Sequence, residues 1–211
     1  MSVPAITREE VETFQRCMSV GGIALLPTDT IYGLACDATD RGAAERLYEL
    51  KGRPPAKPSA VMFFSLNSAF RTLTELEPRT KSALAALLPG PVSVLLPNPA
   101  KRFPLACVGD LTTLGLRVPM FSGELKQLNA VEHPVLQSSA NFAGGDDASV
   151  VGEVPLEIRR EVEMILDAGQ LPGTASSVVD LRNFERDASF EVLRPGAVSA
   201  REIEFKLKAV A

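Results

Sequence analysis

The run "PVSVLLP", residues 91–97, is a short apolar segment between two prolines, and it decides the class of fold. Its valines and its length of only a few residues favour a β-strand over a helix. Because apolar residues follow one another with little alternation, we expect a strand that is covered on both faces.

Similar runs recur along the chain and alternate with helical patterns. A capping box from Thr7 to Glu10 and a second from Ser199 to Glu202 open two helices, and Asp40 can cap a third. Alternation of strands and helices predicts an α/β fold with a mixed sheet. The other predicted strands lie in "GGIALLPT" (21–28), "PSAVMFF" (58–64), "LGLRVP" (114–119), "PVLQSSA" (134–140), "ASSVVDL" (175–181) and "FEVLRPG" (190–196).

Composition limits the classes of function. The chain has 211 residues, of which 45% are apolar, and a net charge of -4. This supports a real hydrophobic core, and we expect residues 1–211 to form a single domain. An acidic protein does not coat nucleic acid through bulk charge, so any RNA contact must be confined to a local patch.

Several familiar signals are missing from the sequence. The three cysteines are isolated and odd in number, which favours free thiols, and no Cys/His cluster has metal-ligand spacing. We find neither a P-loop nor a G-x-G-x-x-G motif. No signal peptide and no apolar run of membrane-spanning length is present, so we expect a cytoplasmic protein without membrane contact.

The segment "ELKGRPPAK", residues 49–57, holds Lys51, Arg53 and Lys57 with no acid among them. Glycine and proline keep this backbone on a defined, non-helical path. Arginine offers a rigid fork for phosphate oxygens and lysine adds a point charge, so the segment predicts an anion site. The alternative is a solvated basic loop.

Four other clusters follow predicted strands or begin them. Hydroxyl and amide side chains crowd "QSSANFAGG" (137–145) and "PTDTIYGLACD" (27–37), "GTASSVVDL" (173–181) brings Ser176 and Ser177, and "LRPG" (193–196) brings Arg194. Ligands in open α/β sheets gather at strand ends, which favours a binding site here. Each cluster alone also fits an ordinary polar turn.

Taken in order, these blocks resemble the YrdC family, the threonylcarbamoyl-AMP synthases, in its short single-domain form. The resemblance runs from about residue 21 to residue 196 and includes the paired signatures K-x-R (Lys51, Arg53) and S-x-N (Ser139, Asn141). It implies an open, twisted mixed sheet with flanking helices and a concave basic cleft.

The resemblance also implies a nucleotidyltransferase that joins L-threonine, bicarbonate and ATP into L-threonylcarbamoyl-adenylate and releases pyrophosphate. The product serves t6A modification of tRNA by downstream partner proteins, and RNA contact at the cleft is a possibility that the resemblance leaves open. Mg²⁺ is expected to accompany ATP, and no residue is assigned as a metal ligand.

The resemblance assigns roles to eleven residues. Lys51 and Arg53 are expected to be catalytic, because fixed cations stabilise the charge that develops as pyrophosphate leaves. The expected ATP-binding residues are Lys51, Arg53, Lys57, Thr113, Ser139, Asn141 and Arg194. The expected L-threonine-binding residues are Thr30, Arg117, Gln137 and Ser176, with Arg117 as the partner of the carboxylate.

The sequence departs from the family pattern at two positions on the expected threonine side. Met62 stands where the family often has a histidine, and Ala175 stands where it often has a glutamate. Two other interpretations therefore stay open at this point. One is a YrdC-like paralogue that acts on another carbamoyl acceptor, and the other is a non-enzymatic module that binds double-stranded RNA.

Overall fold

A nine-stranded mixed sheet is the centre of the fold in the computed structural model, which describes residues 5–52 and 58–211. The spatial order of the strands in this part of the chain is β7-β1-β2-β6-β3-β5-β4-β8-β9, with both parallel and antiparallel neighbours. The predicted α/β mixed sheet is confirmed. The strands are β1 (Ala24–Leu26), β2 (Gly33–Asp37), β3 (Ala60–Met62), β4 (Val92–Pro97), β5 (Thr113–Arg117), β6 (Val135–Ser139), β7 (Met164–Ile165), β8 (Ser177–Asp180) and β9 (Glu191–Arg194).

Three helices begin where the capping signals predict. Thr7 and Glu10 form a complete capping box, the Asp40 side chain accepts from Ala43 N, and the Ser199 hydroxyl accepts from Glu202 N. The α-helices are α1 (Arg8–Ser19), α2 (Arg41–Leu50), α3 (Leu66–Thr72), α4 (Pro78–Leu87), α5 (Leu156–Glu161), α6 (Phe184–Asp187) and α7 (Ala200–Lys208). Two 3-10 helices lie at Gly123–Ala130 and Val151–Glu153.

The two faces of the sheet are covered to different extents. One face packs against α2, α4 and α7, and its side chains form the larger hydrophobic cluster, with Leu34, Val94 and Leu116 among them. On the other face α1 covers only β1, β2 and the near ends of β3 and β6. The smaller cluster there includes Phe14 and Met62, and both are fully buried.

The expectation that the "PVSVLLP" strand is covered on both faces is wrong. Residues of β4 alternate between buried and half-buried, because only Val92, Val94 and Leu96 point into the larger cluster. Ser93 and Leu95 lie on the opposite face, beyond the reach of α1, and border a cavity. This uncovered half of the sheet is the floor of the candidate site.

No helix within residues 5–52 or 58–211 combines the length and the apolar character needed to cross a membrane.

Candidate functional site

A cavity of ≈ 490 Å³ lies over the uncovered half of the sheet. Its floor consists of side chains from β3, β4, β5, β6 and β8 that share one face by register. Three arginines and two aspartates line it, so its described lining has a small excess of positive charge, as expected for the cleft. The charged lining residues are Asp110, Arg117, Asp147, Arg182 and Arg194.

A second cavity of ≈ 260 Å³ adjoins the first. Ser139, Asp147 and Arg194 line both cavities, so the two form one cleft. The second cavity is walled by Lys51 and by the loop that follows β6, from Asn141 to Gly145. Lys51 of the K-x-R signature and the S-x-N pair therefore meet at one place, although 90 residues separate Lys51 from Asn141.

Arg117 is a buried cation at the end of β5, with only 4% of its surface exposed. Its Nη2 donates to Asp29 Oδ1 at 2.7 Å, to Thr30 Oγ1 at 2.6 Å and to Thr28 Oγ1 at 3.3 Å. Burial lowers the pKa of Arg117 from its ordinary value, while the Asp29 carboxylate opposes that shift. The nitrogen Nε is buried and has no hydrogen-bond partner in the described chain.

An unpartnered buried N–H is unusual in a native protein, since leaving it unpaired costs free energy. Within residues 5–52 and 58–211 only Ser59 Oγ shares this property, and Ser59 also lines the larger cavity. Both unpartnered atoms thus belong to residues that line the larger cavity.

Lys51 caps the C-terminal end of α2, and its ammonium is buried. Nζ donates to the carbonyl oxygen of Ser139, to the carbonyl oxygen of Asn141 at 2.6 Å and to Asn141 Oδ1 at 3.1 Å. The Ser139 hydroxyl also donates to Asn141 Oδ1, and Asn141 Nδ2 donates to Gly145 O at 2.8 Å. Lysine and the S-x-N pair form one network that shapes the wall of the second cavity.

Arg194, at the end of β9, reaches across to β8. Its Nη2 donates to the carbonyl oxygen of Ser176 at 2.7 Å, and the hydroxyls of Ser176 and Ser93 are 2.9 Å apart. Ser93 pairs with Arg117 in the register of β4 and β5. Arg194 and Lys51 both line the second cavity.

Thr113 lies at the rim of the larger cavity beside Asp110 and Arg182. Its hydroxyl donates to Asp110 Oδ2 at 2.7 Å and accepts from Arg182 Nη1 at 3.4 Å. Hydrogen bonds from the Thr112 hydroxyl, the Thr113 hydroxyl and the Thr112 N–H lower the pKa of Asp110 to about 2. This rim keeps a carboxylate ionised at every physiological pH.

The structure brings most of the predicted site residues together. Gln137 lines the larger cavity with Arg117 and Ser176, and its amide makes no hydrogen bond to the described residues. Thr30 lies behind Arg117, and its neighbour Ile31 forms the cavity wall instead. Arg53 and Lys57 lie outside the described residues.

Sequence reasoning did not assign Asp29, Ser93, Asp110, Asp147 or Arg182 to the site. Asp29 stood inside a quoted cluster, but its partner Arg117 is 88 residues away, and no local pattern announces that pair. Arg182 directly follows β8, so its place at a strand end was the available signal. In the described chain no group of three or more His, Cys, Asp or Glu residues is arranged to hold a metal ion.

A family model described as "Telomere recombination", that of Sua5, YciO and YrdC, matches residues 16–196. The chain belongs to this family. The resemblance stated from the motifs is thereby confirmed.

Known members of the family differ in how much of their length this chain matches. The threonylcarbamoyl-AMP synthase of Pyrococcus abyssi is 29% identical over 210 residues, which cover 97% of this chain and 60% of that protein. A crystal structure of P. abyssi Sua5 complexed with L-threonine has a TM-score of 0.80 at 27% identity and covers 98% of this chain and 60% of that one. The chain thus spans about 60% of the length of the P. abyssi relative.

Escherichia coli YciO has the same TM-score of 0.80 at 20% identity, and the match covers 96% of this chain and 97% of that one. At this identity the likeness concerns the fold alone. It confirms the open mixed sheet with flanking helices.

Proposed function

We propose that the protein is a threonylcarbamoyl-AMP synthase, which converts L-threonine, bicarbonate and ATP into L-threonylcarbamoyl-adenylate and pyrophosphate. The observation that carries this proposal is the position of Arg117, a buried cation that lines a cavity continuous with the wall formed by Lys51, Ser139 and Asn141. The name of the P. abyssi relative and its structure with L-threonine support the same reaction.

The larger cavity is the proposed threonine end of the cleft. Arg117 is the proposed partner of the substrate carboxylate, since a guanidinium N–H and a carboxylate form a strong charge-assisted hydrogen bond. The Gln137 amide and the Ser176 hydroxyl are the proposed partners of the threonine hydroxyl and amine. Thr30 contributes by holding Arg117 Nη2 and not by direct contact with the substrate.

The second cavity is the proposed triphosphate end. Arg194 approaches it from β9 and Lys51 from α2, while Arg53 and Lys57 belong to the same basic segment of sequence. Ser139 and Asn141 direct their hydrogens at protein atoms, so we assign them to shaping the phosphate wall. Thr113, at the far rim of the larger cavity, is the proposed contact to the nucleoside.

Mg²⁺ fits this donor set as a companion of ATP. It commonly takes one or two carboxylates besides phosphate oxygens and water, and it neutralises phosphate charge when bound. Asp147 lines both cavities and is the carboxylate placed to contribute an oxygen.

The reaction balances in two steps. The threonine amine attacks bicarbonate, water is lost, and a carbamate forms. A carbamate oxygen then attacks the α-phosphorus of ATP, the bond to the bridging oxygen of the β-phosphate breaks, and pyrophosphate leaves. Fixed positive charge at Lys51 and Arg194 stabilises the departing oxygens, and alignment of the reactants supplies much of the remaining effect. We assign no general base.

The adenylate is a reactive mixed anhydride that must be passed on to an acceptor. We propose tRNA as that acceptor, through downstream modifying proteins in the cytoplasm, without membrane contact. RNA contact at the cleft is limited to a patch, because the chain as a whole is acidic.

Pyrophosphate release from ATP tests the proposal when threonine, bicarbonate and Mg²⁺ are omitted one at a time and each amino acid replaces threonine in turn. We expect release only in the complete mixture and only with threonine. Arg117→Gln and Arg117→Lys should abolish the threonine-dependent release of pyrophosphate. Arg102→Gln, which removes a half-buried ion pair with Glu75 outside the cleft, should leave this release unchanged. Turnover with another acceptor, or tight binding of double-stranded RNA without turnover, overturns it.

A further inference from the structure

The carboxylate of Asp29 joins the end of β1 to the segment that follows β5. Oδ1 accepts from Arg117 Nη2 at 2.7 Å, and Oδ2 accepts from Met120 N at 2.9 Å. Only 8% of the Asp29 side chain is exposed, and Asp29 is not part of the lining of either cavity of the cleft. Asp29 therefore acts on the cleft through Arg117 and not by touching its contents.

The contacts of Arg117 are all on one side of its guanidinium. Nη2 donates all three of its hydrogen bonds, one to the Asp29 carboxylate and two to the hydroxyls of Thr28 and Thr30. The Thr28 hydroxyl donates its hydrogen to the carbonyl oxygen of Ile31 at 2.7 Å. Toward Arg117 it is therefore an uncharged acceptor. Asp29 is the one anion in this set.

We propose that Asp29 is a positioning residue for the amino-acid substrate: it holds Nη2 of Arg117, so that the guanidinium stays fixed in the wall of the larger cavity, where the substrate carboxylate binds. This inference rests on the proposed function, since it takes threonine as the ligand of the larger cavity. A guanidinium is planar and rigid, so holding Nη2 fixes the orientation of the whole group. The negative charge of Asp29 also keeps a cation in a buried place that would otherwise disfavour it.

The bond from Met120 N makes the same carboxylate a structural link. This second bond limits rotation of the carboxylate and fixes its distance from Arg117. An asparagine at position 29 keeps the size of the side chain and one acceptor oxygen. It cannot accept at both places, and it carries no charge.

Binding of L-threonine and of L-threoninol separates positioning from general stability. Threoninol has a hydroxymethyl group in place of the carboxylate, so it does not use the Arg117 contact. We expect the parent protein to prefer threonine, and Asp29→Asn to lose that preference by at least about tenfold, because a hydrogen bond to a charged group contributes about 1.5–3 kcal/mol. Threoninol and ATP affinities should stay the same.

Glu75→Gln is the matched control, because it removes the carboxylate from another arginine pair, that with Arg102, outside both cavities. It should leave the preference for threonine unchanged. An equal preference in Asp29→Asn and in the parent overturns this inference alone, and so does tighter threonine binding, which would mean that Asp29 competes for the guanidinium. A parent protein that binds no threonine overturns the proposed function as well.

A second measurement does not depend on Asp29→Asn, should that variant fail to fold. The ¹⁵N-detected side-chain signals of Arg117, assigned by their loss in Arg117→Lys, should shift on addition of threonine and not on addition of threoninol. Equal shifts with both compounds, or none with either, overturn the assignment of Arg117 to the carboxylate.

Discussion

The ammonium nitrogen of Lys51 lies 2.6 Å from the carbonyl oxygen of Asn141, which ties the end of α2 to the loop after β6. Lys51 and the S-x-N pair, far apart in sequence, are thus parts of one hydrogen-bonded unit. Lys51 therefore shapes the wall of the second cavity and also gives this wall a positive charge.

Replacement of Lys51 by methionine should lower both stability and turnover. The change removes the donors to two carbonyl oxygens and to the Asn141 amide oxygen, which leaves buried acceptors unpaired. We expect a loss of about 1–3 kcal/mol in the free energy of unfolding, measured by denaturant titration. Lys126→Met, at an exposed position, is the control. A Lys51→Met protein as stable as the parent would contradict a structural role for this lysine.

Arg53 follows two residues later and lies outside the described residues, so its role stays a prediction from the sequence. If it contacts the triphosphate, Arg53→Ala should lower turnover by about a hundred- to a thousandfold while leaving stability unchanged or slightly higher. Arg53→Lys should restore only part of it, because lysine lacks the bidentate fork. Equal turnover in all three proteins would favour the solvated basic loop.

Much of the fold was readable from local patterns, because apolar runs and capping residues act over a few residues. β2 was missed, since "GLACD" lacks β-branched residues and its neighbours suggested a ligand-binding turn. The glycine in this strand has a reason that only the tertiary structure shows. A Cβ at Gly33 would lie 2.5 Å from Gln137 Nε2 on the adjacent strand, so Gly33 makes room for a side chain of the site.

Only part of the site could be predicted from the sequence, because local patterns act over a few residues and do not show which distant residues meet. Arg117, Gln137 and Ser176 could be named because each sits in a recognisable block. The pairing of Asp29 with Arg117 depends on the path of the segment after β1, because β2, β6 and β3 lie between β1 and β5 in the sheet. The uncovered half of the sheet likewise depends on where α1 packs, which the composition of β4 does not encode.

Substitution of Met62 tests whether this residue belongs to the smaller hydrophobic cluster beside the threonine end of the cleft. It is fully buried beside Phe64 in that cluster, and it is the register partner of Arg117 in β3 and β5. Met62→His should cost about 1–3 kcal/mol of stability by burying an imidazole, and should change threonine affinity while leaving ATP affinity the same. Met62→Leu, similar in volume, should cost less than about 1.5 kcal/mol. Equal changes in both affinities would contradict this placement.

Glu163 should make stability depend on pH at the edge of the sheet. Burial by itself raises its pKa, but the hydrogen bond from Ile23 N at 2.6 Å and the Arg46 guanidinium outweigh burial, and the net pKa lies below the ordinary 4.5. A lowered pKa in the folded state stabilises the fold above the unfolded pKa, and that stabilisation is lost as pH falls through the folded value.

Glu163→Gln should therefore cost about 1 kcal/mol at pH 7, the low end for a charge-assisted bond because the side chain is 44% exposed. The difference from the parent should shrink as the pH falls below 4.5. Thermal unfolding across this range measures it, with Glu204→Gln, on the exposed face of α7, as the control. A pH-independent difference would contradict the assignment.

The most direct test of the proposed function is the mass of the product. The protein is incubated with ATP, Mg²⁺, L-threonine and ¹³C-bicarbonate, and the nucleotides are separated and weighed by mass spectrometry. We expect an adenylate that contains threonine and one ¹³C atom, formed together with pyrophosphate and absent when threonine is omitted. An adenylate without the label, a labelled adenylate of another acceptor, or unchanged ATP would contradict the account.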